Sequence, residues 1–151
     1  MLIECISYVA VFLILSAVAM GSFYLCWDRS KALISASDDI SAALVAGERW
    51  RTDVRAATGT INVETTTNGE VVKIPQGEKE ITYTFDSKEV QRQVGTVNLP
   101  VLLLPRVISS DMKSDARNGV TAWRWELQVL QRRKETHLPL LFTFEAAQKM
   151  P

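Results

Sequence analysis

Residues 2–27 read LIECISYVAVFLILSAVAMGSFYLCW, and from Cys5 through Trp27 no side chain is charged. Those 23 residues, wound as an α-helix at about 1.5 Å per residue, run roughly 34 Å, enough to cross a hydrocarbon core of about 30 Å. The stretch therefore reads as a membrane-spanning helix. Ser7, Ser16, Gly21 and Ser22 are compatible with this, because small residues mark faces where a second helix approaches closely. Tyr24 and Trp27 stand near the exit, where a ring with a polar edge suits the headgroup layer. A cleavable secretory signal is the other reading, since Ala17-Val18-Ala19 before Met20 has the small-residue form of a cleavage site. Against it, Met1 to Glu4 contains no Lys or Arg, and apolar residues continue past the cut through Phe23, Tyr24, Leu25 and Trp27. Arg29 and Lys31 follow the span and Asp28 offsets them, so local charge does not set the orientation.

The rest of the chain is bounded by simple arithmetic. At 151 residues it holds one domain beyond an anchor, and 17 basic against 17 acidic residues leave no global positive field for nucleic acid. One histidine and two cysteines, both inside the apolar stretch, leave little from which to assemble a metal centre or a His-dependent nucleophile. The expectation is a non-enzymatic protein with no cofactor and no metal. Cys5 and Cys26 are about 31 Å apart along one helix and cannot bond within a chain; they read as small apolar residues. His137 has no partner at ligand spacing.

Helical periodicity continues beyond the span, with no proline before Pro75. Leu33, Ile40, Gly47 and Val54 recur every seventh residue, and Ala36, Ala43, Trp50 and Ala57 form a second such series. Asp38, Asp39, Glu48, Arg49, Arg51, Asp53 and Arg55 fall mostly off the stripe, as one solvated side requires. Thr58-Gly59 supplies a stop. A helix from Leu2 to Ala57 would be about 80 Å long, and its outer half needs something to pack on.

Short strands supply it. Ile61 and Val63 alternate with polar neighbours, Asn68-Gly69 signals a hairpin, and Val71, Val72 and Ile74 follow. Ile81, Tyr83 and Phe85 alternate with threonines, Asp86-Ser87-Lys88 turns the chain, and Val90 and Val94 lie on the return. Leu99 to Pro105, bracketed by prolines, suits an edge strand or a buried crossing. Ser109 to Gly119 is polar and reads as a loop. Trp123, Trp125, Leu127 and Val129 then face one way, and Leu138, Leu140, Phe142 and Phe144 form a last strand. The layout is α+β: residues 1–27 as the transmembrane half of a long helix, 28–57 as its amphipathic half, and 58–151 as an antiparallel sheet domain. Helix and sheet are expected to meet through Leu33, Ile40, Leu44, Trp50 and Val54 on one side and Tyr83, Phe85, Trp125 and Leu127 on the other.

Glu4 has two readings. Within one turn of the helix start it can reach headgroups and favour the helix dipole, whereas a carboxylate among apolar helices calls for a partner. Leu2-Ile3-Glu4, an apolar span, an amphipathic continuation and a small β domain together resemble the type IV pilin and type II secretion pseudopilin family. Leu2-Ile3-Glu4 matches the Leu-Ile-Glu that opens the family's apolar run, and Glu4 takes the place of its glutamate. The helix stretch Ala46 to Arg55, the strand Ile81 to Phe85 and the turn into Val90-Gln91-Arg92 look most like the J-type minor pseudopilins, whose helix likewise bears an acidic residue near its end.

The resemblance implies a pilin-like fold and a basic leader ahead of Met1, removed by a prepilin peptidase with N-methylation of the new end. It also implies a single-pass inner-membrane location with the β domain in the periplasm. The implied partners are inner-membrane lipid and other pilin-like subunits, met through Glu4, Leu2 and Ile3 in a filament. Calcium-binding loops in some members raise the same question for Asp111, Asp115 and Asn118, whose spacing is not that of an EF-hand. Arg132-Arg133-Lys134 beside Gln131 reads as a solvated turn or a phosphate contact. The alternative class is a single-pass envelope protein, or a secreted β domain, that binds a ligand or partner outside any filament.

Overall fold

In the computed structural model, residues 2–67, 69–86, 88–96, 98–117, 120–130 and 139–149 are described, the side chains of Leu2, Arg117 and Lys149 excepted. One helix, α1 (Leu2–Arg55), is followed by eight strands. The chain divides into two compact units, residues 1–37 and 38–151.

The first unit is helix throughout its described length, and none of its described side chains is buried. No β-branched cluster, proline or cap interrupts it, as its sequence requires of a long helix. Through this region α1 is long and apolar enough to cross a membrane.

The second unit combines the end of α1 with two antiparallel sheets, where the sequence suggested one. The five-stranded sheet runs in chain order: β1 (Asn62–Thr66), β2 (Gly69–Gln76), β3 (Lys79–Asp86), β4 (Glu89–Val94) and β5 (Val101–Pro105). Its hairpins fall where the turn residues put them, Thr66 pairing Gly69 and Asp86 pairing Glu89, while Gly77 at φ 61° closes the two-residue turn between β2 and β3. β5 is an outer strand, as its bracketing prolines demand. The second sheet has three strands, β6 (Val107–Arg117), β7 (Val120–Val129) and β8 (Leu140–Lys149), with β7 in the middle.

The change of sheet happens at one residue. Arg106, between β5 and β6, has φ 58°, a conformation that disfavours a side chain and costs on the order of 1–3 kcal/mol. It is held by an Arg106 Nη2 bond to Asp39 Oδ1 at 2.7 Å, by Leu130 N–H donating to its carbonyl at 2.8 Å, and by Val107 N–H donating to Lys88 O at 2.8 Å.

β6 corrects the expectation of a loop at Ser109 to Gly119. Residues 107–117 form an 11-residue strand paired along β7 from Val107↔Val129 to Arg117↔Val120. Its composition hid it because it is an outer strand that gains its hydrogen bonds from β7, with only Val107 and Met112 buried among its described side chains. Serine takes part in the packing as well, since Trp125 Nε1–H donates to Ser110 Oγ at 2.8 Å.

The helix face also differs from the expected stripe. Leu33, Ile40 and Leu44 are 72%, 37% and 49% exposed, while Asp39, Ala43, Ala46, Gly47, Trp50, Asp53, Val54 and Ala57 are buried. A straight α-helix drifts about 20° per heptad from a seven-residue repeat, so the series Leu33, Ile40, Gly47, Val54 reaches the buried side only at its last two members. The bulk at the contact comes from the sheets. Trp125 is fully buried, with its ring 5.7 Å from those of Trp50 and Phe144 and 6.3 Å from that of Tyr83. Facing such rings, the helix approaches through Ala43, Ala46 and Gly47.

Gly47 is the tightest of these contacts: a methyl group on its Cα would lie 2.1 Å from Phe144 Cε1. Gly47→Ala should therefore lose about 1–3 kcal/mol despite the better helix propensity of alanine. Urea titration of the two proteins checks this, and an alanine variant as stable as wild type would show that Phe144 yields freely. Beyond the helix, Gln148 ties the exit loop to β8, donating from Nε2 to Gly59 O at 2.6 Å and accepting from Trp123 Nε1 at 3.2 Å.

Candidate functional site

Two features of the chain call for a functional reading, one in each unit. In the first, α1 presents apolar side chains on all sides between Cys5 and Trp27, every described one of them exposed. Two of its hydroxyls bond back onto the helix. Ser7 Oγ donates to Ile3 O and Ser22 Oγ to Val18 O, both at 3.0 Å, so two hydroxyls are satisfied on the helix's own carbonyls and add little polarity to the surface. Phe23 stacks on Trp27 at 6.0 Å, and Lys31 Nζ lies 5.2 Å from the Trp27 ring centroid. Aromatic rings and a cation thus close the apolar section at its C-terminal end, the arrangement expected at a headgroup boundary. Glu4 sits in the first helical turn at the other end, exposed beside Ile3. An exposed apolar surface of this extent exceeds the patches of soluble monomers and belongs to a helix long and apolar enough to cross a membrane.

In the second unit, Asp53 in the last turns of α1 is buried and accepts three hydrogen bonds. Tyr83 Oη donates to Oδ2 at 2.6 Å, Arg92 Nε to Oδ2 at 2.8 Å and Arg92 Nη2 to Oδ1 at 3.1 Å. The guanidinium engages both carboxylate oxygens, a strong and directional geometry. Gln76 Nε2 meanwhile donates to the Asp53 carbonyl at 2.9 Å, satisfying one of the carbonyls left open at a helix C-terminus. Burial first, then the hydrogen bond and charge of Asp53, push the Tyr83 hydroxyl far up, so it stays a donor at any physiological pH. The hydrogen bond to Asp53 likewise raises Arg92. The cluster is one carboxylate shared by a cation and a phenol, and it can fasten α1 to β3 and β4.

No family model, curated protein or solved structure matches the chain.

Of the residues singled out from sequence, Trp50, Val54, Tyr83, Trp125 and Leu127 meet in the buried core, with Phe85 half-buried against it. Leu33, Ile40 and Leu44 do not join them. Glu4 and Ile3 lie on the exposed start of α1, where the side chain of Leu2 is not described. Cys5 and Cys26 are exposed, unbonded thiols on the apolar section.

Asp111 and Asp115 belong to a strand, where four residues span about 13 Å. They cannot share one calcium ion, and Asp111 Oδ2 is engaged by Lys113 Nζ at 2.6 Å. Among the described residues no three His, Cys, Asp or Glu side chains are grouped to hold a metal. Asn118, Gln131, Arg132, Arg133, Lys134, His137 and Leu138 lie outside the described residues.

Sequence reasoning placed Asp39 and Asp53 on the solvated side, and both are buried in ion pairs. The signal was present for Asp53, which stands three residues from Trp50 on one helical face. The Tyr83 and Arg92 named in the hairpin resemblance are the two side chains that hold it.

Proposed function

We propose that the chain is a pilin-like assembly subunit, a minor pseudopilin or minor pilin. Its N-terminal helix would anchor it in the inner membrane and join the helical core of a type II secretion or type IV pilus-like filament. The observation that carries this reading is the pairing of an uncovered apolar helix with a single carboxylate in its first turn. Contact with headgroups is one use for an acid at that point, and a bundle of such helices offers a stronger one in a neighbouring subunit's terminal amine. The Leu2-Ile3-Glu4 register supports the same reading, as does the Asp53–Tyr83–Arg92 fastening, which joins an acidic residue near the helix end to the strand Ile81 to Phe85 and to Arg92, the segments that carry the J-type resemblance.

In this mechanism the β unit faces the periplasm and the subunit waits in the bilayer. A prepilin peptidase exposes its mature end, and an assembly machine draws it into the filament, where lipid around the apolar surface is exchanged for other subunits' helices. Glu4 then neutralises an amine that would otherwise be buried unpaired.

Glu4→Ala tests it. Membrane insertion and the fold of residues 38–151 are expected to stay as in wild type, while cross-linking to co-expressed pilin-like subunits falls by at least tenfold, corresponding to the few kcal/mol of a broken buried pair. Equal cross-linking at equal expression would remove the assembly role and leave an anchored envelope domain whose Glu4 touches headgroups, an interaction of under about 1 kcal/mol.

A further inference from the structure

An outer strand leaves N–H and C=O groups on its free side, where a further strand can pair with them. Among the described strands β1, β5, β6 and β8 are outer. Three of them are guarded. β1 carries Glu64, held by Lys73 Nζ at 2.7 Å. β6 carries Asp111, Lys113 and Asp115, and its Met112 N–H donates to the Glu70 carboxylate, to Oε1 at 3.3 Å and to Oε2 at 3.2 Å. β8 carries Glu145, whose carbonyl accepts from Arg51 Nε at 3.2 Å. Charges deter pairing at an edge, because an incoming strand must match them or bury them unmatched.

β5 has no such guard. From Gln93 to Pro105 no residue is charged, and the strand itself reads VLLLP. Leu99, Val101 and Leu102 are each more than half exposed. Val101 stands opposite Arg92 and Leu102 opposite Gln91, so these two side chains leave the sheet on opposite faces. Pro100 and Pro105 remove an N–H at either end, and the register shifts between Val90 and Gln91. These features shorten the edge to Val101 through Leu104 but put no charge on it.

We propose that β5 pairs antiparallel with β5 of a second copy of this chain across a twofold axis, joining their five-stranded sheets edge to edge. Around such an axis a strand meets itself, so any charge on it would face its like. β5 is the outer strand whose sequence meets that condition. The backbone row supplies the hydrogen bonds, and Val101 and Leu102 cover their counterparts, one on each face. Assembly closes at two, because the opposite edge of each sheet is β1 with Glu64. So short an edge buries less than the about 1,200 Å² of a stable interface, which makes the dimer weak and reversible. The inference is independent of the assembly reading, because it concerns residues 38–151 alone, whatever α1 is embedded in.

The test uses the full chain in detergent micelles, with Cys5→Ala and Cys26→Ala removing the native thiols. Leu102→Cys lies within one residue of the strand's centre, so the two thiols of a pair come within about 10 Å, in reach of a short bis-maleimide. Thr66→Cys, on the exposed β1 edge, controls for encounters driven by α1. Cross-linked dimer is expected from Leu102→Cys and not from Thr66→Cys. Adding Val101→Lys to Leu102→Cys should cut the yield about fivefold, and Val101→Glu should do the same, because like charges then face each other. Mixing the Lys and Glu chains should restore it. Equal yields from the two cysteine positions would overturn the proposal, as would a yield that Val101→Lys leaves unchanged or a mixture no better than the single variants. Run in cell membranes, Leu102→Cys joined to a different protein and not to its own copy would overturn it too, giving the edge to another partner. If Val101→Lys fails to fold, the comparison of Leu102→Cys with Thr66→Cys still decides it.

Discussion

Trp125→Ala is expected to destabilise the second unit by about 3–5 kcal/mol, the cost of removing a large aromatic from a packed core. Trp125 occupies the middle strand of the three-stranded sheet, is fully buried, and has ring neighbours in Trp50 from α1, Tyr83 from β3 and Phe144 from β8. Truncation therefore opens a cavity shared by the helix and both sheets, and none of the three can collapse into it without losing its own pairing. A domain of this size has some 5–15 kcal/mol in all, so the variant should sit near the edge of folding. Chemical denaturation of the full chain in mild detergent, followed by near-ultraviolet circular dichroism, measures the loss. Trp125→Phe separates volume from polarity: it keeps most of the packing and gives up the bond from Nε1 to Ser110 Oγ, so it should retain most of the stability. An alanine variant with an unchanged midpoint would mean that helix and sheets are joined elsewhere.

The elements legible in the sequence are those where one local signal outweighed all others. The long helix follows from an unbroken apolar run and the absence of proline, the first hairpins from Asn68-Gly69 and from residues 86–88, and β7 from alternation at Trp123, Trp125 and Leu127. β6 was illegible because an outer strand needs no apolar alternation when its neighbour supplies the ladder. The separation into two sheets was illegible for a different reason. It depends on Arg106 taking a left-handed conformation held by Asp39, 67 residues earlier in the chain, and no local pattern announces such a partner.

The helix face was half legible. Trp50 and Val54 stand out by size, but the contact also selects the small residues Ala43, Ala46 and Gly47, whose burial is dictated by the bulk of Phe144 and Trp125 across the gap. Ranking residues by hydrophobicity favoured Leu44 over its neighbours and so turned the face outward. The apolar run of α1, by contrast, was legible from length and composition alone, because a helix long and apolar enough to cross a membrane depends on no other part of the fold.

Asp53 was assigned to solvent because it is charged, and this is the misplacement with the largest energetic consequence. Asp53→Ala should cost about 3–5 kcal/mol, since it leaves the Arg92 guanidinium, four-fifths buried, without its counter-charge and the Tyr83 hydroxyl without its acceptor. Removing both charges should be gentler than the two single losses imply. Asp53→Leu with Arg92→Leu puts apolar surface into an apolar site, so the double variant should lie above the sum of the single variants by a coupling of about 0.5–3 kcal/mol. Asp53→Asn provides the intermediate case, keeping an acceptor for Tyr83 while giving up the bidentate ion pair, and should fall between wild type and Asp53→Ala. Urea midpoints for the set are the measurement. Strictly additive single losses would show that Asp53 and Arg92 act separately, and the end of α1 would then be held by apolar packing such as that of Trp50 on Trp125.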